Sequence, residues 1–133
     1  MIGIDIVFIP RFSSLIKNRD RKSLERSIFT SSELDQLTEL NETARIRSLA
    51  GRFAAKEAVI KASMGELKIT DLKRIEVIQS AEGYLEARVK SESAKVRRYM
   101  VSISHDGEYA VGMALEGSVL HKNHFSGENL CGL

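Results

Sequence analysis

Residues 99–116 read Tyr99-Met100-Val101-Ser102-Ile103-Ser104-His105-Asp106-Gly107-Glu108-Tyr109-Ala110-Val111-Gly112-Met113-Ala114-Leu115-Glu116. β-Branched and aromatic residues crowd both halves, and Asp106-Gly107 between them is a hairpin turn signal. Residues 99–105 and 109–116 are therefore expected to pair antiparallel. A second pair of β segments, 74–79 and 84–89, is joined by a turn at 80–83. Strands that arrive late and as hairpins, after a largely helical first half, predict an α+β fold with a largely antiparallel sheet rather than repeated βαβ units. No glycine-rich loop of the P-loop or Rossmann kind is present.

Outward from the hairpins, residues 1–9 are rich in Ile and Val and end at Pro10, the only proline. They read as a strand whose two faces, Ile2/Ile4/Ile6/Phe8 and Gly3/Asp5/Val7/Ile9, are both apolar except for Asp5, the pattern of a strand covered on both sides. Residues 11–26 predict one or two short helices. Thr30 or Ser31 is an N-cap candidate with Glu33 in the first turn, for a helix to about Leu40. Asn41 caps the longest helix, 42 to about 64, which Gly65 is placed to end. Residues 90–97 are short, polar and compatible with a helix. The single domain is expected over 1–116, with a loosely ordered tail over 117–133.

The whole chain has 133 residues, 43% hydrophobic and 29% charged, which suits one soluble domain and excludes bulk disorder. Aromatics are 6% and Trp is absent, which argues against a stacking platform for single-stranded nucleic acid. One cysteine, Cys131, excludes an intramolecular disulfide scaffold. No run approaches the roughly 20 apolar residues of a membrane span. The first residues lack the basic start of a signal peptide, so an intracellular setting is expected. The net charge of +2 is nearly balanced. Residues 11–26, however, carry Arg11, Lys17, Arg19, Arg21, Lys22 and Arg26 against Asp20 and Glu25, either a solvated helix face or a patch for an acidic partner.

Three features break the folding pattern. The long helix has an apolar stripe of Ile46, Leu49, Ala50, Phe53, Ile60 and Met64, with Glu57 in its middle and Arg52 and Lys56 at one edge. A carboxylate there must be paired, metal-bound or protonated. An ion pair with Lys61, one turn on, is the plain structural reading. Asp5 is the same anomaly on the strand. Together Asp5 and Glu57 could share a divalent cation, and carboxylates suit Mg²⁺ completed by water and phosphate oxygens. The third feature is the polar face Ser102/Ser104 ending in His105, whose weight depends on convergence with the two carboxylates. His121, His124 and Cys131 are too irregular for a zinc site. On residues alone, the chain reads as a Mg²⁺-dependent enzyme acting on a phosphate ester.

The same segments resemble a family. Gly3-Ile4-Asp5-Ile6-Val7 with Arg11-Phe12, Leu49-Ala50-Gly51-Arg52-Phe53-Ala54-Ala55-Lys56-Glu57-Ala58 with Lys61, and Val101-Ser102-Ile103-Ser104-His105-Asp106 look like the three motifs of the short 4′-phosphopantetheinyl transferases, the holo-acyl-carrier-protein synthase family. Phe29-Thr30 and Ile75-Glu76-Val77 also fit. The resemblance spans about residues 1–116. It implies transfer of 4′-phosphopantetheine from coenzyme A to a serine of apo acyl carrier protein, with Mg²⁺, in the cytoplasm, by a homotrimer whose sites lie between subunits. By position, Asp5 and Glu57 match metal ligands, Lys61 a phosphate-contacting and catalytic lysine, and Arg52 and His105 residues near the coenzyme. Arg11 matches a carrier-docking residue, and Arg19, Arg21 and Arg26 extend that patch. Glu57, then His105, are the candidates for the base that activates the serine. The loop at 63–68 lacks the family's fuller glycine pattern, and Gly83-Tyr84 lacks the usual Lys-Pro.

Two other classes fit parts of the sequence. A non-catalytic basic module for acidic partners or nucleic acid explains the patch but not Asp5 and Glu57. A metal-dependent phosphohydrolase explains the carboxylates but needs no carrier. Asp5 and Glu57 satisfying basic residues at a subunit interface is a third, structural account.

Overall fold

A computed structural model describes residues 1–17, 20–91 and 95–117, with Arg21 described in its backbone only. Arg19 and the expected tail beyond Gly117, including His121, His124 and Cys131, lie outside the described residues. In chain order the elements are β1 (Ile2–Phe8), α1 (Ile9–Lys17), α2 (Arg21–Ile28), α3 (Ser31–Asp35), α4 (Glu42–Ala62), a 3₁₀ helix (Ile69–Arg74), β2 (Ile75–Gln79), β3 (Leu85–Lys90), β4 (Val96–Asp106) and β5 (Tyr109–Glu116). The strands form one sheet in the order β1-β5-β4-β3-β2, and every neighbouring pair is antiparallel. This is the α+β architecture expected, with the long helix packed on the sheet.

Local chemistry sets most boundaries. The β4–β5 hairpin closes at Asp106 opposite Tyr109, with Gly107 at φ +54°, a conformation that costs glycine nothing. Ile9 N–H donates to Glu108 O at 2.8 Å, which ties the start of α1 to that turn. Asn41 caps α4 by accepting from Ala44 N–H at 2.9 Å. The helix ends at Ala62 with Ser63 as C-cap, and Met64 and Gly65 follow at φ +55° and +91°. The stop therefore falls two residues before the expected Met64, with Gly65 in the left-handed region that terminates helices.

Three local expectations change. α3 ends at Asp35, not near Leu40. Beyond it the bonds shorten to i→i−3 spacing, as in Thr38 N–H to Asp35 O, and the Thr38 hydroxyl donates to the same carbonyl at 2.9 Å. The polar segment 90–97 shows no helix among its described residues. Lys90 closes β3 and Val96 and Arg97 open β4. Arg97 is held there by ion pairs to Glu66 and Glu116, so its polarity reflects a surface network rather than a helix face. The 3₁₀ helix was not anticipated. Asp71 accepts from Lys68 N–H at 2.8 Å and from Arg74 at 3.0 Å, which organises it.

The core lies on one side of the sheet. Val7, Ile9, Phe12, Ile16, Ile28, Phe29, Leu49 and Ala54 pack near the short helices, and Ala58, Val59, Ile75, Val77, Ala87, Val89 and Tyr99 pack under the rest of α4. Burying each larger side chain contributes roughly 1.5–3 kcal/mol. α4 approaches the sheet through small residues. A Cβ at Gly3 would sit 1.9 Å from Ala58 O, and one at Gly112 would sit 2.3 Å from Ala55 N. Only glycine at both positions lets the helix lie this close. The expectation that β1 is covered on both faces is not met in the chain: Ile2, Ile4 and Ile6 are 65, 59 and 61% exposed. α4 covers only the Gly3/Asp5/Val7 face of this edge strand, and the strand's composition could not say what lies on the other.

Candidate functional site

Asp5 lies on the covered face of β1, opposite Gly112 of β5, in the strip where the glycines bring α4 down onto the sheet. That face meets the last turns of α4. Lys61 Nζ reaches back to donate to Asp5 Oδ1 at 2.8 Å and to Ile4 O at 2.9 Å. The helical pair of Glu57 with Lys61 is therefore not the arrangement found. The lysine goes across to the strand, and Glu57 makes no ion pair among the described residues. Burial pushes the Glu57 carboxyl above its usual range, the negative charge of Asp5 pushes it further, and Lys61 only partly opposes this.

This cluster has a definite chemistry. Two carboxylates whose charges disfavour each other lie beside one ammonium, on a half-exposed rim of the helix–sheet junction. A cation is the natural complement. No group of three or more His, Cys, Asp or Glu suited to a metal occurs among the described residues. The donor set thus does not fit a metal caged by protein ligands alone. It fits Mg²⁺, which takes one or two carboxylates and fills its octahedron with water and substrate phosphate oxygens.

His105 is brought to the same face of the sheet but not to the carboxylates. It pairs with Ala110, and through β5 with Val7, two residues along from the row of Asp5, Gly112 and Ile103. Strand geometry puts it on the order of 10 Å from Asp5. Its Nε2 lies 2.9 Å from Arg47 O and 2.9 Å from where a Cβ at Gly51 would sit, six residues before Glu57 on α4 or about 9 Å along the helix axis. There it borders an open groove lined by Asn41, Glu42, Thr43, Ala44, Arg47 and Ser48. The convergence on which the weight of His105 depends is not a direct contact among the described residues: His105 meets α4 at Arg47, and Asp5 meets it at Lys61.

Arg52 points elsewhere. It is buried, donates to Val77 O and donates to Gln36 Oε1 at 3.0 Å, and its burial lowers its proton affinity. It joins α4 to β2 and does not share the Asp5–Lys61 cluster. Arg11, in the first turn of α1 just beyond β1, is exposed and stacks over the Phe8 ring at 5.8 Å, and Arg26 is exposed on α2. Sequence reasoning set Lys56 at an edge of the apolar stripe. It is instead fully buried against Glu33, at 2.7 Å. The capping box Thr30-x-x-Glu33 was the visible signal for Glu33, whereas nothing local marked Lys56.

Comparison with known proteins bears on the assignment. The profile of the 4′-phosphopantetheinyl transferase superfamily matches residues 1–114. A holo-[acyl-carrier-protein] synthase of Borreliella burgdorferi is 38% identical over 122 residues, covering 86% of this chain and 95% of its own. That of Chlamydia caviae is 40% identical over 118 residues, covering 86% and 93%. The crystal structure of the Helicobacter pylori synthase in complex with coenzyme A superimposes with a TM-score of 0.71 at 26% identity, over 87% of this chain and 99% of that one. A match this extended, carried on the fold and motifs described above, means that the chain belongs to the holo-[acyl-carrier-protein] synthase family of 4′-phosphopantetheinyl transferases.

Proposed function

We infer that this enzyme moves 4′-phosphopantetheine from coenzyme A to a serine hydroxyl of an apo acyl carrier protein, releases adenosine 3′,5′-bisphosphate, and requires Mg²⁺. The observation that carries the reading is the Asp5–Glu57–Lys61 cluster at the rim of α4, a cation-seeking carboxylate pair beside a phosphate-seeking ammonium. Asp5 and Glu57 would hold the metal, which when bound supplies charge neutralisation for the pyrophosphate. Lys61 sits where it can turn from Asp5 to a phosphate oxygen and oppose charge growing on the leaving bisphosphate.

The reaction forms an O–P bond between the serine oxygen and the pantetheine-side phosphorus. It breaks the P–O bond to the adenosine bisphosphate, and the serine proton must go to a base. Glu57 is favoured for that proton over His105. It belongs to the carboxylate cluster beside Lys61, whereas His105 meets α4 at the Arg47 carbonyl, outside that cluster. The groove beside Arg47 and His105 suits the remote end of the coenzyme. The basic surface of α1 and α2, with Arg11 and Arg26 exposed, suits an acidic carrier protein.

Two further elements belong to this reading. The uncovered stripe Ile2, Ile4, Ile6, Met100 and Met113 is the kind of surface that another copy of the chain covers, in keeping with a homotrimer. The reading also places the enzyme in the cytoplasm, in lipid synthesis, acting on coenzyme A and a carrier protein rather than on nucleic acid or a membrane; no described helix is long and apolar enough to cross a membrane.

The test is intact-mass spectrometry of an apo acyl carrier protein incubated with enzyme, coenzyme A and Mg²⁺, with and without a chelator. One phosphopantetheine added only when metal is free is the expected result. An unchanged carrier together with cleaved coenzyme A points to a hydrolase, and modification that survives chelation removes the metal from the mechanism.

A further inference from the structure

We propose that Lys56 and Glu33 form a positioning pair for Glu57, fixing the rotation and axial register of α4 on the sheet. The proposal rests on the catalytic reading of Glu57 given above.

The surface that α4 turns toward the sheet is nearly featureless. Ala54, Ala55, Ala58 and Ala62 meet Gly3, Gly112, Ala110 and Ala114, so interlocking side chains do little to choose one rotation of the helix over another. Directional contacts are supplied by Arg52, to Val77 O and Gln36 as described above, and in greatest number by Lys56. Its Nζ donates to Ile28 O at 2.6 Å, to Glu33 Oε2 at 2.7 Å and to Leu72 O at 3.1 Å, and lies 5.0 Å from the centre of the Phe29 ring. Glu33 is equally committed. Oε2 also accepts from Thr30 N–H at 2.8 Å, and Oε1 accepts from Val77 N–H at 2.9 Å. One pair thus binds α4 to the end of α2, the start of α3, the 3₁₀ helix and β2.

Both side chains are 0% exposed. A buried ion pair contributes little net stability compared with apolar groups of the same volume, because desolvation offsets the attraction. What it does supply is geometry. The residue it anchors is the immediate neighbour of Glu57, so a rotation of α4 that broke these bonds would swing Glu57 relative to Asp5. Displacements of about 1 Å at a reacting group cost about a hundredfold in rate.

The experiment is a mutant cycle on the full-length enzyme, with kcat and KM for coenzyme A measured well below each variant's melting temperature. The paired substitution is Lys56→Met with Glu33→Gln, which removes both charges at similar volume. It is made alone and with Glu57→Asp, which leaves a carboxylate one methylene shorter. The expected result is a folded protein with kcat down at least about tenfold, KM for coenzyme A nearly unchanged, and a combined loss no greater than the larger single loss, because both changes act on one carboxylate. Glu33→Gln alone, which keeps the shape and one acceptor, should show a smaller loss of the same kind and serves if the paired variant does not fold. Wild-type kcat in the folded variant, or losses that multiply with Glu57→Asp, overturns the positioning role while leaving the site reading intact. Wild-type kcat in Glu57→Asp and in Asp5→Asn removes the site reading, and the positioning role with it.

Discussion

Lys61 on α4 donates to the Asp5 carboxylate at 2.8 Å across 56 residues of sequence, although Glu57 stands one turn away on its own helix. The strand wins because Asp5 offers a carboxylate and the adjacent Ile4 carbonyl offers a second acceptor to the same ammonium. The result is an ammonium beside a carboxylate pair, with Glu57 in no ion pair among the described residues.

Lys61→Met should therefore separate catalysis from stability. The Lys61 side chain is 54% exposed, so the ion pair it loses is worth about 1 kcal/mol at most. Loss of its charge at the phosphate should lower kcat by roughly a hundred- to a thousandfold. Urea unfolding and steady-state kinetics on the same preparation check both. A large loss of stability with intact kcat would make Lys61 a structural residue.

Ile4→Lys addresses the uncovered stripe on β1. Ile4 lies opposite Met113 in the β1–β5 register, and both are exposed. A lysine there costs the isolated chain little, but a charge buried in an apolar contact between copies is strongly disfavoured. Analytical ultracentrifugation should show the wild type as an oligomer and the variant as a monomer. Identical sedimentation of the two would remove this face as the interface.

Charge reversal at Arg11 and Arg26 should act on the carrier rather than on the coenzyme. Arg11→Glu with Arg26→Glu is expected to raise KM for the carrier about tenfold at low salt while KM for coenzyme A holds, and the difference should shrink as salt screens the surface. An effect that does not depend on salt would place the two residues outside any electrostatic docking.

Gly112→Ala tests how α4 is seated. The added Cβ would come 2.3 Å from Ala55 N and 2.5 Å from Ala54 C, both backbone atoms that cannot rotate away. A destabilisation of about 1–3 kcal/mol or more is expected, with kcat lowered because α4 must lift off β5 beside Asp5. Thermal melting and kinetics check it. A neutral outcome would mean that the helix rides on the sheet less tightly than its glycines imply.

Asp71 gives a pH dependence of known sign. Its bonds from Lys68 N–H and then Arg74 hold its carboxyl below the ordinary range, so its charged form is favoured in the folded state. A depressed carboxylate contributes stability above its unfolded value near 3.8 and loses it as pH falls through the lower folded value. Denaturant titrations at pH 7 and pH 3 should show Asp71→Asn less stable than wild type at pH 7, with the gap closing at pH 3. An equal gap at both values would assign the effect to lost cap geometry alone.

Residues 99–116, the Asn41 cap, the Thr30–Glu33 box and Gly65 after α4 were legible because hairpins, caps and helix stops are decided by neighbours in sequence. Glu57 and Asp5 were legible for the opposite reason, as charges that contradict the apolar pattern around them. Three features were settled only by tertiary structure. Lys61 chose Asp5 over Glu57, Lys56 went inside to meet Glu33, and Ile2, Ile4 and Ile6 were left uncovered. Periodicity reports which residues share a face. What a face meets depends on segments brought together from across the chain, as when β5 and α4 close over β1 at Gly112 and Gly3.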